Sequence, residues 1–241
     1  MIGIPVYNEA RNIKLLLDSL LAQMPREVEA VYVVSSGSTD MTNEIVRSYC
    51  EKNQKIKLLT EHERRGKASA MNRLLELGEE YDVVISMGGD NVLSKGALDE
   101  LLKRFAADDI GIVGGRPVPV NSPSNLFGWC AWMVMNLHHL VSLKSPKISG
   151  ELFAFRPRVA KEIPPGVIND DAYLQMLYEL RQFRSAYEPE AQVFCMGPRN
   201  LRDFLGQRRR TFVGHKQVEF ILGRKIPTSR MRVLGLLRKA R

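Results

Sequence analysis

The sequence predicts an α/β fold: a mostly parallel sheet with helices on both faces. Two observations carry this reading. Short apolar, β-rich runs alternate with segments of helical apolar spacing over the first half of the chain, a pattern that yields parallel strands with crossover helices. The run Val83-Val84-Ile85-Ser86 stops abruptly at Met87-Gly88-Gly89-Asp90-Asn91, as a buried parallel strand does before a loop. Ile2 to Val6 reads as the first strand. Glu9 to Gln23 follows as a helix, with Ile13, Leu16, Leu17, Leu20 and Leu21 on one face. Val28 to Val34 is the second strand, and Ser35-Ser36-Gly37-Ser38-Thr39-Asp40 is a polar turn in which Thr39 or Asp40 can cap a helix running to Cys50. Ile56 to Thr60 is a strand, Lys67 to Gly78 a helix, Val83 to Ser86 a strand, Leu98 to Phe105 a helix and Ile110 to Gly114 a further strand. Asp90 then falls at the carboxyl end of a strand, where open α/β sheets bind ligands, although an Asp in that position also serves as a turn or cap residue.

Composition narrows the classes. At 241 residues, with 44% hydrophobic and 26% charged side chains, the chain can bury a full core and shape a cleft. Cys50, Cys130 and Cys195 are far apart and show no metal-ligand spacing, so reduced thiols in a cytoplasmic setting are expected. No signal peptide is expected ahead of Ile2-Gly3-Ile4-Pro5, and no uninterrupted apolar run is long enough to span a bilayer. The net charge of +8 is uneven: Leu201 to Arg241 carries 12 Lys and Arg against 2 acidic residues, while the first 200 residues sum to −2. A basic end interleaved with Phe, Val, Ile and Leu suits an anionic membrane surface, or is a solvated tail. No nucleic-acid motif accompanies it, so nucleic acid is not an expected partner.

Neither G-x-G-x-x-G after the first strand nor G-x-x-x-x-G-K-[ST] occurs, which argues against a dinucleotide oxidoreductase and a Walker-type NTPase. What is present is an ordered series: Ile4-Pro5-Val6-Tyr7-Asn8-Glu9, Ser36-Gly37-Ser38-Thr39-Asp40, Arg65-Gly66-Lys67-Ala68 with Met71-Asn72, Gly89-Asp90-Asn91, Ser149-Gly150-Glu151-Leu152-Phe153-Ala154-Phe155-Arg156, Asn169-Asp170-Asp171, and Gln207-Arg208-Arg209-Arg210-Thr211. In order and over nearly the whole chain, this series resembles the family-2 inverting glycosyltransferases, and most closely their polysaccharide-synthase and lipid-linked-sugar branch with its "QxxRW" end. The resemblance implies a GT-A fold, a nucleotide-binding Rossmann-like sheet with helices on both faces. It also implies one glycosyltransferase domain over 1–241, with a donor nucleotide-binding half at 1–115, an acceptor-side half at 116–200 and a basic segment at 201–241.

Roles follow from the resemblance position by position. Pro5, Tyr7 and Glu9 would hold base and ribose, with Ser36 standing where the family usually has an Asp in its "DDGSTD" turn. Lys67, at a Gly-Lys helix start, would meet the diphosphate or ribose, since an ammonium and a helix N-terminus both attract phosphate. Asp90 matches the last Asp of "DxD", whose first Asp is Gly88 here. It is the expected ligand for Mn²⁺ or Mg²⁺, ions that accept one or two carboxylates when diphosphate oxygens complete the shell. Asp171 is the expected base with Asp170 as its neighbour, the same residues also being good helix caps. Gly150 and Glu151 match the acceptor-side loop. Gln207 and Arg210 fall in register with "QxxRW", the guanidinium suiting phosphate, while Thr211 replaces the Trp. The expected activity is transfer of a sugar from a nucleotide-diphosphate sugar to a lipid-linked or saccharide acceptor with inversion, for polysaccharide or glycolipid synthesis. The expected site is the cytoplasmic membrane face, with docking on anionic lipid or a membrane-protein partner. A nucleotidyltransferase would show a Gly-rich basic loop after the first strand instead of Pro5-Val6-Tyr7-Asn8-Glu9. A catalytically degenerate nucleotide-sugar-binding protein would explain the missing carboxylates at 36 and 88. The stretch from Leu126 to Leu143 is apolar but broken by Asn136, His138 and His139, and fits either a helix under the acceptor site that touches lipid or plain core. The His pair lacks ligating partners and reads as structural.

Overall fold

The computed structural model describes residues 1–226, so the part of the basic segment beyond residue 226 lies outside the described residues. The elements in chain order are β1 (Ile2–Val6), α1 (Ile13–Leu21), β2 (Val31–Ser36), α2 (Thr42–Cys50), β3 (Ile56–Glu61), α3 (Lys67–Gly78), β4 (Val84–Met87), β5 (Val92–Leu93), α4 (Ala97–Lys103), β6 (Ile110–Pro119), α5 (Leu126–Ser142), β7 (Leu152–Phe155), α6 (Asp170–Leu180), β8 (Arg184–Cys195) and α7 (Leu201–Leu222). All eight strands form one sheet in the order β3-β2-β1-β4-β7-β6-β8-β5. The first four positions are parallel. Beyond β4 the sheet is mixed: β7 is antiparallel to both β4 and β6, β6 is parallel to β8, and β5 is antiparallel to β8. The predicted α/β architecture with helices on both faces is therefore observed, its parallel part built from the first half of the chain.

Strand alternation divides the core in two. Ile2, Ile4, Val6, Val31, Val33, Ile85 and Met87 point to the face covered by α1, α2 and α4, which contribute Ile13, Leu16, Leu17, Leu20, Val46, Leu98 and Leu101. Tyr32, Val34, Val84, Phe153 and Phe155 point to the opposite face, against Met71, Leu74 and Leu75 of α3, Leu174 and Tyr178 of α6, and Val218 of α7. The period of two in a strand is what allows one sheet to serve two cores.

Sequence and structure differ locally for physical reasons. α1 begins at Ile13 rather than Glu9, because Glu9 is drawn into the loop between β1 and α1, where its backbone N–H donates to Thr42 Oγ1 at 2.8 Å. β6 runs five residues past Gly114 by shifting register across bulges to follow β8. α5 is not core: within it Gly128, Ala131 and Ser142 are buried, while Leu126, Trp129, Met133 and Leu140 are exposed.

Candidate active site

The carboxyl ends of β1, β2 and β4 open onto one edge of the sheet. The loops after β1 and β2 hold each other in place. Asn8, in the left-handed region at φ 55°, donates its backbone N–H to Ser38 Oγ at 3.1 Å and accepts the Thr39 N–H on Oδ1 at 2.8 Å. Asp40 accepts the backbone N–H groups of Ala10 at 3.1 Å and Thr42 at 3.0 Å, and these bonds, with one from the Thr42 hydroxyl, hold its carboxyl below the ordinary range against the opposing effect of burial. Asp40 thus bonds the first residue of α2, while Met41 stands at the N-cap itself. Ser36 accepts the Arg65 N–H on Oγ at 3.0 Å, so the residue in place of an acidic group is spent on the next loop. The Arg64 guanidinium lies 4.0 Å from the centre of the Tyr7 ring, a cation–π contact that frames a flat surface at the mouth. Pro5 is buried within β1 and shapes the strand rather than the open surface.

At the end of β4, Asp90 is exposed at the cleft. Desolvation by its surroundings and the negative charge of Glu151 raise its carboxyl, with Lys67 opposing. Glu9 is raised as well, mainly by burial, against the Asn12 hydrogen bond, with Asp90 and Asp40 adding to it. Because β7 runs antiparallel to β4, Met87 pairs with Leu152, and Glu151 lands beside the β4 loop. The Glu151 carbonyl accepts from Gly88 N at 3.2 Å and from the buried Asn91 Nδ2 at 2.8 Å. Asn91, the last residue of the Gly-Asp-Asn motif, is buried and ties the turn that carries Asp90 to Glu151.

The base candidates lie at the start of α6. Asp170 is buried and pairs with Lys67 Nζ at 3.1 Å. Lys67 opens α3 directly after Gly66 (φ 87°). Burial alone would lower its ammonium, but Asp170, Asp171 and Glu151 outweigh that and hold it above the ordinary lysine value. Asp171 is half-buried and accepts its neighbour Ala172 N–H at 2.8 Å. Burial and the adjacent Asp170 charge push its carboxyl up to about 6, Lys67 pulling the other way. The approach of Lys67 depends on Gly150: a Cβ there would stand 2.8 Å from Lys67 Nζ and 3.7 Å from Asp171 Oδ2. Asp90, Glu151, Lys67, Asp170, Asp171 and Gly150 are thereby brought to one place.

α7 is phased against α6 by Asn169, whose Nδ2 donates to the Thr211 carbonyl at 3.1 Å and whose side chain fills the space over Gly214. In this phase Gln207, Arg208 and Thr211 face inward and Arg210 is exposed. Two residues of helix turn the chain by about 200°, so Arg208 is half-buried while Arg210, the residue in register with "QxxRW", is exposed. The motif register points past Arg208, and only the helix phase reveals it. His139 Nδ1 hydrogen-bonds Tyr187 Oη at 2.9 Å, a structural role as expected.

Among the described residues, no group of three or more His, Cys, Asp or Glu side chains is disposed to hold a metal by itself. The donors on the cleft wall are hard carboxylate oxygens, chiefly Asp90 with Glu151 in its field. That set fits Mg²⁺ or Mn²⁺ when ligand oxygens supply the rest of the shell.

Comparison with known proteins agrees with this geometry. The chain is 26% identical over 227 residues to the poly-beta-1,6-N-acetyl-D-glucosamine synthase of Staphylococcus aureus, covering 88% of this chain and 53% of that protein. The chain thus spans about half the length of the curated relatives it matches. Among solved structures, the mannosyltransferase PcManGT from Pyrobaculum calidifontis, in complex with GDP-Man and Mn²⁺, superposes with TM-score 0.69 at 27% identity, over 87% of this chain and 59% of that one. TarS 1-349 from S. aureus shares the fold, with TM-score 0.64 at 18% identity over 91% of this chain and 64% of that one. Residues 1–163 match glycosyl transferase family 2, and with the GT-A architecture around this cleft the chain belongs to that family.

Proposed function

We propose that this chain transfers a sugar from a nucleotide-diphosphate sugar to an acceptor hydroxyl with inversion at the anomeric carbon. The observation that carries the reading is the pair of adjacent aspartates in unlike settings. Asp170 is buried and paired with Lys67, whereas Asp171 is half-buried, with no ion pair of its own among the described residues and a carboxyl pushed up to about 6. A carboxylate poised close to the working pH is suited to take a proton in the transition state. In the reaction, Asp171 accepts the proton of the acceptor hydroxyl as its oxygen bonds the anomeric carbon. The bond from that carbon to the phosphate oxygen breaks, and the nucleoside diphosphate departs. Tyr7, Glu9 and the Ser36 loop form the nucleoside side, with Pro5 shaping the strand beneath them, and Lys67 with the start of α3 faces the diphosphate. Gly150 and Glu151 form the wall toward the acceptor, and Gln207 lines the cleft from α7. Asp90 would hold a Mn²⁺ or Mg²⁺ ion, which when bound supplies Lewis-acid stabilisation of the departing diphosphate.

The acceptor in this reading is a lipid-linked or saccharide chain at the cytoplasmic membrane face, within polysaccharide or glycolipid synthesis. Two observations support a membrane surface. The exposed side of α5 presents Leu126, Trp129, Met133 and Leu140, and the segment from Leu201 onward is strongly basic. No helix among the described residues is long and apolar enough to cross a membrane. The testing experiment is a calorimetric screen of nucleotide sugars with Mn²⁺, using Asp90→Ala as control. Binding of one donor that is lost in the variant supports the reading. Absence of binding to any donor, with or without metal, would overturn it.

A further inference from the structure

The turn after β4 has two features that the proposed transfer leaves unexplained. Glycine stands at 88, in the place of the first Asp of "DxD", and a buried amide stands at 91. Neither Gly88 nor Gly89 has a positive φ, so backbone conformation does not demand glycine at either position. Space does. A Cβ on Gly89 would stand 2.6 Å from Val6 Cγ1 and 3.1 Å from Glu9 Cγ. A Cβ on Gly88 would stand 2.8 Å from Asn91 Nδ2 and 3.1 Å from Asp90 Oδ1. The turn is therefore wedged against the end of β1, while the Asp90 carboxylate and the Asn91 amide close over Gly88.

Asn91 is not free to swing aside. It is 2% exposed, and its Nδ2 donates to the Glu151 carbonyl at 2.8 Å. Gly88 N donates to that same carbonyl at 3.2 Å, and Asn91 N donates to the Gly88 carbonyl at 3.4 Å. Gly88, Asn91 and Glu151 are thus joined in a closed ring of contacts, with Asp90 carried between the first two. Asn91 Oδ1 is buried without a partner among the described residues. A buried acceptor left unpaired lowers stability, so stability alone does not account for an asparagine here. Alanine at 91 would leave no such orphan, but it would remove one of the two donors on the Glu151 carbonyl.

We infer that Asn91 is a positioning residue for Asp90, and that Gly88 and Asn91 act as one unit in which the amide takes the space of a side chain at 88. The absent first carboxylate is then a matter of packing. With Asn91 in place, a side chain at 88 displaces the amide from Glu151 and crowds the Asp90 carboxylate. The inference rests on the proposed transfer, which takes Asp90 as the ligand of the ion.

The test measures Mn²⁺ binding to the full chain with UDP or GDP, from the loss of the free-ion EPR signal, and the melting temperature without metal. Asn91→Ala should weaken Mn²⁺ binding by about tenfold or more, as removal of a group that orients a metal's ligands does. Gly88→Ala should weaken it by about the same factor. In the double variant the two losses should not multiply, because the added methyl enters space that the amide has left. Gly88→Asp restores the first carboxylate of the motif and should nevertheless bind Mn²⁺ less tightly than the parent. Tighter binding by Gly88→Asp, multiplied losses in the double variant, or parental affinity in Asn91→Ala would each overturn the inference. A parent that binds no Mn²⁺ with either nucleotide would instead remove the proposed ion, and melting then decides on the pair. A loss from Gly88→Ala that shrinks in the Asn91→Ala background would sustain the unit, and an equal loss in both backgrounds would overturn it.

Discussion

The two halves of the cleft are held in opposite ways. On the donor half, the loops after β1 and β2 satisfy one another: Asn8 with Ser38 and Thr39, Asp40 with Ala10 and Thr42, Ser36 with Arg65. On the acceptor half, the scaffold is well bonded but the groups it presents are not. Arg208 Nε, Ser149 Oγ and both nitrogens of His138 are buried without partners among the described residues. A site whose polar groups are already paired is preorganised for its ligand by its own chain. One whose polar groups are orphaned gains its pairing from what binds there. The contrast is one of degree, since Glu61 Oε2 and Asn91 Oδ1 on the first side are also buried without partners among the described residues; in the proposed reading the first side takes the nucleoside and the second the acceptor.

The largest expected effect lies at the boundary of the halves. Asp171→Asn should lower the transfer rate by roughly 10²–10⁴-fold and leave donor affinity intact; transfer at near-parental rates would displace Asp171 as the base. In the parent enzyme, the carboxyl near 6 must be ionised to accept a proton, so the rate should rise with pH through about 6 and then level. A pH–rate profile flat across that range would remove Asp171 from the proton transfer.

Gly150→Ala should come next. A methyl group there would stand 2.8 Å from Lys67 Nζ, so Lys67 must shift from its place beside Asp170 and Asp171. Lys67 lowers the Asp171 carboxyl, so its displacement should move the midpoint of the pH–rate profile upward and reduce the rate at neutral pH by about tenfold. An unshifted midpoint would show that Lys67 does not tune the base.

Stability offers a third test. The Asp171 carboxyl is raised on folding, so its contribution is fully present below the unfolded value and is lost as pH rises through about 6. Asp171→Asn should therefore stabilise the fold at pH 8, by an order of 1–3 kcal/mol, and the gain should vanish at pH 4. Thermal melts at the two pH values check it.

The smallest effect is expected at α5. Trp129→Ser should weaken co-sedimentation with phosphatidylglycerol vesicles by about tenfold or less without changing donor binding. Vesicle binding that is unaltered by the substitution and insensitive to salt would leave the exposed face of α5 without a lipid role.

Much of the donor half was legible in the sequence because local chemistry specifies it. Lys67–Gly78 was bounded as observed, with a Gly before its first residue and a Gly at its last. β1 and the polar turn before α2 fell where strand alternation and capping residues put them. Less was legible after Gly114. β6 passes through Arg116, Pro117 and Pro119, residues that locally argue against a strand, and is kept extended by pairing with a β8 some seventy residues later in sequence. The apolar stretch of α5 resembles core in composition, and only the packed structure shows Leu126, Trp129, Met133 and Leu140 exposed.

The order of strands and helices, the carboxylates after β4 and at the start of α6, and the uneven charge are properties of the sequence alone, because each depends on residues within a turn or two of one another. Three matters required the tertiary structure. Which of two adjacent aspartates is buried against Lys67 and which faces the cleft is set by α3 lying beside the start of α6. That Glu151 meets Asp90 is set by β7 running antiparallel to β4. That Arg208 rather than Arg210 faces inward is set by the phase in which Asn169 locks α7. In each case neighbouring residues of like chemistry compete for one place, and about 100° of helix rotation per residue, or the direction of a strand, decides between them.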